Sequence, residues 1–410
     1  MKIYDNLAFM KQYIELLRAE SLLLRLSTIQ LISYFGAWFS NVAIYTLLLA
    51  MDVSAEVVAF VAMLHFLSGV FQTPFSGAII DRYAPKQLML TLLFIEMAST
   101  LALLMIGGVE DLWLLYILIF IKMGAASFYF TAEMSLLPKI LKAKDLQLAN
   151  ELHSIIWSLS YTTGMALSGF LVYAFGTDVA FVLDALMFGA AFVLLYMQKI
   201  DLVVQKTQES FLSMMQETFS YLKRSPLALH LMILHAFVGL TAFDAVVALM
   251  VDQYYASVIA TSLALGLLHS SRAVGLVVGP VVLGRFTNNR FLVFIFFAQA
   301  FSLLLWAMAM HNFYLSLGAS VVVGFFTTTL WSYSYTLLQK NIDEQFYGRI
   351  VAYNDMLFLS TAAFTSYGIG FLASHGVSLE VIVLLLGSGF VVGGIYFRWI
   401  VKNRDLKEIV

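Results

Sequence analysis

The chain has 410 residues, 61% of them hydrophobic and only 12% charged, and its 23 basic and 25 acidic side chains give a formal net charge of −2. Soluble proteins are about a quarter charged, so a water-soluble globular fold is excluded, and the near-neutral balance excludes bulk attraction to nucleic acid. With no cysteine, disulfides and thiolate metal sites are excluded too.

In chain order, Leu7, Met10, Ile14 and Leu17 recur at helical spacing with Lys11 and Arg18 between them. That is the pattern of an amphipathic helix lying on a membrane surface. The next apolar run, Leu22 to Ala50, is longer than a signal-peptide core and lacks a small-residue cleavage site. It is expected to remain as a first membrane helix. A helix needs about 20 apolar residues to cross the hydrocarbon. Runs and breakers give twelve such spans. They lie near 22–50, 55–80, 87–107, 112–136, 148–175 and 179–198, then near 227–251, 259–284, 291–310, 313–338, 350–373 and 378–401. The longest polar stretch, 199–226, places Phe211, Met214, Met215, Thr218 and Leu222 on one helical face, so it is expected to hold a second surface helix. The expected organisation is a surface segment 1–20, a six-helix bundle 21–198, a linker 199–226, a second six-helix bundle 227–401 and a tail 402–410.

Charge sets the orientation. Even-numbered turns carry Arg82, Lys86, Lys139, Lys142, Lys144, Arg285, Arg290, Lys340 and Arg349, whereas the opposite loops carry seven acids and no Lys or Arg. The positive-inside rule then puts both termini and the linker in the cytoplasm.

The halves resemble each other. His65 and Arg82 correspond to His269 and Arg285, Pro74 to Pro280, Asn150 to Asn354, and Gly169-Phe170-Leu171 to Gly370-Phe371-Leu372. Two bundles related by a repeat enclose a midplane site and rock around it.

Ionisable residues inside spans are functional candidates by default. Lys122 and Glu96 lie at mid-depth, as does Arg272 one turn from His269; Asp184 and Asp244 lie in the outer half. Lys122 either binds an anionic substrate group or pairs with Glu96 or Asp184. Arg272 poses the same choice, with Asp244 as partner. A proton carrier needs a carboxylate or histidine tuned towards neutral pH; Asp244 is preferred, with Asp184 and Glu96 behind it. Span one aligns Gln30, Tyr34, Asn41 and Tyr45 on one arc, and span ten offers Trp331 and Tyr335 amid hydroxyls. Such mixed aromatic and polar faces suit a bulky amphipathic ligand, or interhelical hydrogen bonding.

The loop Gly77-x-x-x-Asp81-Arg82-x-x-x-Lys86 resembles the signature between helices two and three of the major facilitator superfamily. Leu136-Leu137-Pro138, Leu148-Ala149-Asn150 and Tyr347-Gly348-Arg349-Ile350 look like the branch holding enterobactin-type siderophore exporters and macrolide-efflux proteins. The resemblance covers essentially the whole chain. Span five lacks the proline of the Gly-Pro pattern often found in drug/proton antiporters, and the usual basic pair of the loop is replaced by Ala84-Pro85-Lys86-Gln87. The resemblance implies a gating role for Gly77, Asp81, Arg82 and Lys86, a latch between the bundles, with Glu133 placed to accept Arg82.

No phosphate-binding loop, metal motif or nucleophile motif is present, so no enzyme activity and no cofactor are expected. The leading expectation is an all-α secondary transporter, a monomer in a bacterial inner membrane. It would export small amphipathic molecules of siderophore or drug class in exchange for protons. The alternatives are a lysophospholipid flippase and a non-transporting membrane receptor.

Overall fold

The computed structural model describes residues 12–80, 82–200, 211–283, 286, 288–343, 346–404 and 406. Within a bilayer every backbone N–H and C=O must be satisfied internally, which leaves helices as the solution for these long apolar runs. Among the described residues, twelve helices are long and apolar enough to cross. Spans one to six are Ser21–Ala50, Ala55–Thr73, Pro85–Met105, Val109–Ile140, Leu148–Phe175 and Thr177–Tyr196. Spans seven to twelve are Pro226–Tyr255, Thr261–Leu283, Asn289–Ala309, Phe313–Lys340, Arg349–Ser374 and Leu379–Asn403. Helix continues past the apolar part of span two to Ile80.

The spans form two six-helix bundles with matching internal packing. In the first, span one packs on five and six, three on four and six, and two on four. Six helices later, seven packs on eleven and twelve, nine on ten and twelve, and eight on ten. The bundles meet where span two crosses eleven and where five crosses eight.

Each half also begins with a docked surface helix. Residues 12–19 lie on the turn between spans four and five: Leu16 packs with Leu137 and Ala149, and the Tyr13 hydroxyl donates to Glu151 Oε2 at 2.7 Å. Burial first, and the Glu151 carboxylate second, raise the Tyr13 phenol above its ordinary pKa. The linker helix Phe211–Arg224 lies on the turn between spans ten and eleven. There Arg349 Nη1 donates to Glu217 Oε2 at 2.7 Å, the Asp343 N–H donates to the Tyr221 hydroxyl at 3.0 Å, and the Tyr221 ring stacks on Phe346 at 4.3 Å. The face carrying this helix is called the linker face below.

Span seven departs from a regular helix. It runs as α-helix over Pro226–Ala236, as 3-10 helix over Phe237–Thr241, as α-helix over Asp244–Met250 and as π-helix over Val251–Tyr255. The break lies where Gly239 meets span eleven: a Cβ there would stand 2.8 Å from Phe358 O and Ala362 N. Such interruptions free backbone carbonyls, and in membranes they persist where neighbouring protein satisfies them.

The bundles touch most closely between mid-depth and the face opposite the linker. A Cβ on Gly169 would lie 2.6 Å from Ser262 O, and one on Gly266 would lie 2.7 Å from Met165 O, so spans five and eight cross backbone to backbone. At the other crossing Gly370 abuts Ala59 and the Ala55 carbonyl. Nearby, the Ser374 hydroxyl donates to Glu56 Oε1 across the boundary at 2.7 Å.

Candidate functional site

Inside the first bundle, Lys122 of span four and Asp184 of span six form an ion pair of 2.9 Å, with side chains 5% and 0% exposed. The Ser40 hydroxyl of span one also donates to Asp184, and the Lys122 ammonium lies 4.7 Å from the centre of the Phe188 ring. Gly36 admits this carboxylate, since a Cβ would stand 2.8 Å from Asp184 Oδ1. Glu96 of span three is buried within electrostatic range of both partners. Of the alternatives open from sequence for Lys122, the structure displays the internal pair, with Asp184 as partner.

The loop expected to form a latch is divided. Asp81 lies outside the described residues, and so does Arg285, the second-half counterpart of Arg82; Gly77 lies within the helical backbone. Lys86 Nζ donates to Tyr196 O at 2.7 Å and to Gln198 O at 2.6 Å. Arg25 Nη1 reaches Gln198 Oε1 at 2.9 Å. Cations are favoured at a helix C-terminus, so Lys86 caps the end of span six within its own bundle. The expected pairing of Arg82 with Glu133 is corrected. Arg82 is exposed, whereas Glu133 is buried with its Oε2 3.8 Å from His153 Nδ1. Glu133 sits about two turns inside the helix end at Ile140, on the face towards spans one and five, and so turns away from the loop. Gln30 Nε2 donates to the His153 carbonyl at 3.1 Å, and the rings of Tyr34 and His153 meet edge-on at 5.9 Å.

A third group stands where the bundles join. His269 of span eight places Nδ1 3.7 Å from Asp244 Oδ1 of span seven and 3.5 Å from the Tyr161 hydroxyl of span five. Tyr161 belongs to the first bundle and the other two to the second. Asp244 is 19% exposed at its side chain, whereas His269 is buried. Tyr45 and His65 stack at 6.0 Å beside this group, and Trp38, Trp157 and Tyr161 form an aromatic cluster, Trp157 and Tyr161 stacked at 5.5 Å. Of the alternatives open from sequence for Arg272, the direct ion pair with Asp244 is not formed. Arg272 Nη2 donates to Thr241 O at 3.0 Å and its guanidinium lies 5.1 Å from the Phe243 ring centre. The reason is the broken span seven, which turns the Thr241 carbonyl, also an acceptor for the Phe243 N–H at 2.9 Å, towards Arg272.

Trp331 and Tyr335 stack at 5.0 Å around the buried His235, whose Nδ1 is 2.8 Å from Ser334 Oγ. Asn41 is buried with its Oδ1 unpartnered. The candidates from sequence therefore fall into separate groups: Lys122, Asp184 and Glu96 in the first bundle's core, Gln30, Tyr34 and Glu133 nearer the linker face, Trp331 and Tyr335 in span ten, and Asp244 and Arg272 at the junction.

Sequence reasoning missed Tyr161, Trp157 and His153. Their one available signal was spacing: His153, Trp157, Tyr161 and Gly164 lie on one face of span five, a stripe that joins a histidine and two large aromatics to a small residue.

Residues 26–364 match the sequence profile described as Major Facilitator Superfamily. The chain is similar to an "Uncharacterized MFS-type transporter YfiS" of Bacillus subtilis (strain 168), 28% identical over 221 residues. That alignment covers 52% of each protein, so the chain spans about half the length of this relative. Among solved structures it is similar to the nucleoside transporter NupG, with a TM-score of 0.67, 14% identity, and coverage of 93% of this chain and 100% of that one. An auto-inhibited peptide transporter of the POT family matches with a TM-score of 0.72, 11% identity, and coverage of 94% and 98%. At such identities the structural likeness shows the fold alone.

Proposed function

The chain belongs to the Major Facilitator Superfamily, and from that premise we propose that it is a proton-coupled secondary transporter of amphipathic organic molecules, working by alternating access. Its role as a membrane transporter follows from the family and the fold. The finer reading is carried by one observation: Asp244, His269 and Tyr161 join an acid, a titratable ring and a phenol across the boundary between the bundles.

Rocking that separates spans five and eight carries Tyr161 away from His269. Asp244 then loses part of the polar surroundings that hold its charge. A charge in low dielectric is costly unless paired, so a proton on Asp244 lowers the cost of the motion, and motion in turn favours taking up or releasing that proton. This reciprocity is what coupling requires.

Export of siderophore- or drug-class molecules is the direction drawn from the resemblance. The proposed setting is a bacterial inner membrane, with a monomer whose termini and linker face lie in the cytoplasm. The basic even-numbered turns support that orientation, and the Bacillus relative supports the bacterial setting. A flippase would need membrane cations to hold a lipid phosphate; Lys122 is already engaged by Asp184, which leaves Arg272 alone for that role.

Proteoliposomes with an imposed pH gradient test the proposal. A siderophore or drug of this class should move against its gradient at the expense of the proton gradient, and collapse of the gradient should stop net movement. Lysolipid movement indifferent to pH would favour the flippase, and binding without movement under any gradient would favour the receptor.

A further inference from the structure

Two cations stand at mid-depth in the spans, and they differ in what they touch. Lys122 is engaged by Asp184 at 2.9 Å. Arg272 is not engaged by any carboxylate among the described residues; it donates to the Thr241 carbonyl at 3.0 Å, lies 5.1 Å from the Phe243 ring centre and interacts with the Tyr161 hydroxyl. Its Nε–H is buried without a partner. Guanidinium remains charged at any physiological pH and only donates hydrogen bonds, and Arg272 is half-buried, where a charge without a counter-charge is still costly.

The surroundings share this bias towards donors. Trp38 Nε1–H, which can only donate, is buried without a partner, and so is the Tyr45 hydroxyl. Trp38 meets Tyr161 at 4.6 Å, and Tyr161 lies within electrostatic range of Arg272. Asp244, the acid of the junction, faces His269 at 3.7 Å. Beside these donors stands the wall of Trp38, Trp157 and Tyr161, on which Trp157 keeps 38% of its surface exposed. Arg272 is about three turns from Thr261, roughly 16 Å along the helix, which is mid-bilayer.

We propose that this junction binds a planar aromatic carboxylate, its carboxylate on Arg272 and the Trp38 N–H and its ring against Trp157 and Tyr161. The proposal rests on the transporter reading and supplies its substrate class. A matched cation is disfavoured by the permanent charge of Arg272. A neutral amide keeps the ring contact but leaves the guanidinium without a counter-charge.

Equilibrium binding to the purified full-length protein tests the class without transport. The probes are 2-naphthoate, 2-naphthamide and 2-naphthylmethylammonium, read by quenching of tryptophan fluorescence and by thermal protection. Naphthoate is expected to bind at least about tenfold more tightly than the other two. Arg272→Gln should remove that preference and leave amide binding within about threefold. Arg272→Lys, which keeps the charge without the planar fork, should retain part of it. Equal affinity for all three probes, or preference for the ammonium, overturns the proposal. So does an Arg272→Gln protein of unchanged melting temperature that still prefers naphthoate. The ranking in the unaltered protein decides the class even where the variant does not fold. Selective naphthoate binding without any driven flux would end the transport reading alone; driven flux of other molecules without selective binding would end this proposal alone.

Discussion

Replacing Lys122 by Met should destabilise the protein, and removing Asp184 as well should restore it. The pair is 2.9 Å long with side chains 5% and 0% exposed. At an effective dielectric of about 20, that separation gives roughly 6 kcal/mol of gross attraction, most of it offset by the desolvation of two charges. Lys122→Met leaves Asp184 buried with only the Ser40 hydroxyl, a loss of about 3–5 kcal/mol. In Lys122→Met/Asp184→Met no charge is stranded, and stability should return to within about 1 kcal/mol or exceed the starting value. The assay is thermal melting of detergent-solubilised protein for both single variants and the double variant. A single-variant loss of several degrees with recovery in the double supports an internal structural pair. A double variant as unstable as the singles would refute the reasoning. So would Lys122→Met with unchanged melting but no substrate binding, since that would make Lys122 a ligand group.

At the junction, Asp244→Asn should abolish gradient-driven accumulation while leaving substrate exchange at equal pH on the two sides, measured by counterflow in proteoliposomes. At the crossing of spans five and eight, Gly266→Val should drive a side chain into Met165 O. Overpacking of about 1–3 kcal/mol would shift the bundles roughly 5- to 150-fold away from closure on that side. Because the chain has no cysteine, the shift can be read by labelling a single Ser374→Cys at the boundary. Glu56→Cys with Ser374→Cys should crosslink under oxidation and halt transport, with activity returning on reduction. On the first surface helix, Tyr13→Phe removes a charge-assisted hydrogen bond to Glu151, at a cost of about 1.5–3 kcal/mol. Faster proteolysis of the first twenty residues should report it.

The spans were legible because apolar run length is a one-dimensional property, and the repeat because equivalent positions keep residue type, as at His65 and His269. Partner choice was not legible. Lys122 had two candidate partners, Glu96 at mid-depth and Asp184 in the outer half, and only the rotation of spans three and six decides which carboxylate reaches it. Arg272 likewise had Asp244 as its candidate carboxylate. The turn of 3-10 helix at Phe237–Thr241 redirected the guanidinium to a carbonyl, and no propensity in that segment marks the break apart from Gly239. A place near the end of span four on the loop's side of the membrane suggests Arg82 as partner for Glu133, whereas the helical face it occupies points inward to His153.

The closure on the face opposite the linker and the ionisable group at the junction are parts of one contact. Gly169 lies two turns from Tyr161 along span five, roughly 12 Å, and Gly266 lies one turn from His269 along span eight. The same two helices therefore carry the backbone crossing at one level and the Tyr161–His269 contact, 3.5 Å long, at the next. Rigid helices cannot part at the first level by several ångströms and stay within hydrogen-bond range at the second. Opening that face must strip Tyr161 from His269 and change the environment of Asp244. Thr162 and Ser270, joined at 3.2 Å across the boundary, lie beside this contact and must separate with it. Under the proposed coupling, proton occupancy and the opening of that face would be linked by geometry, with no separate relay needed between them.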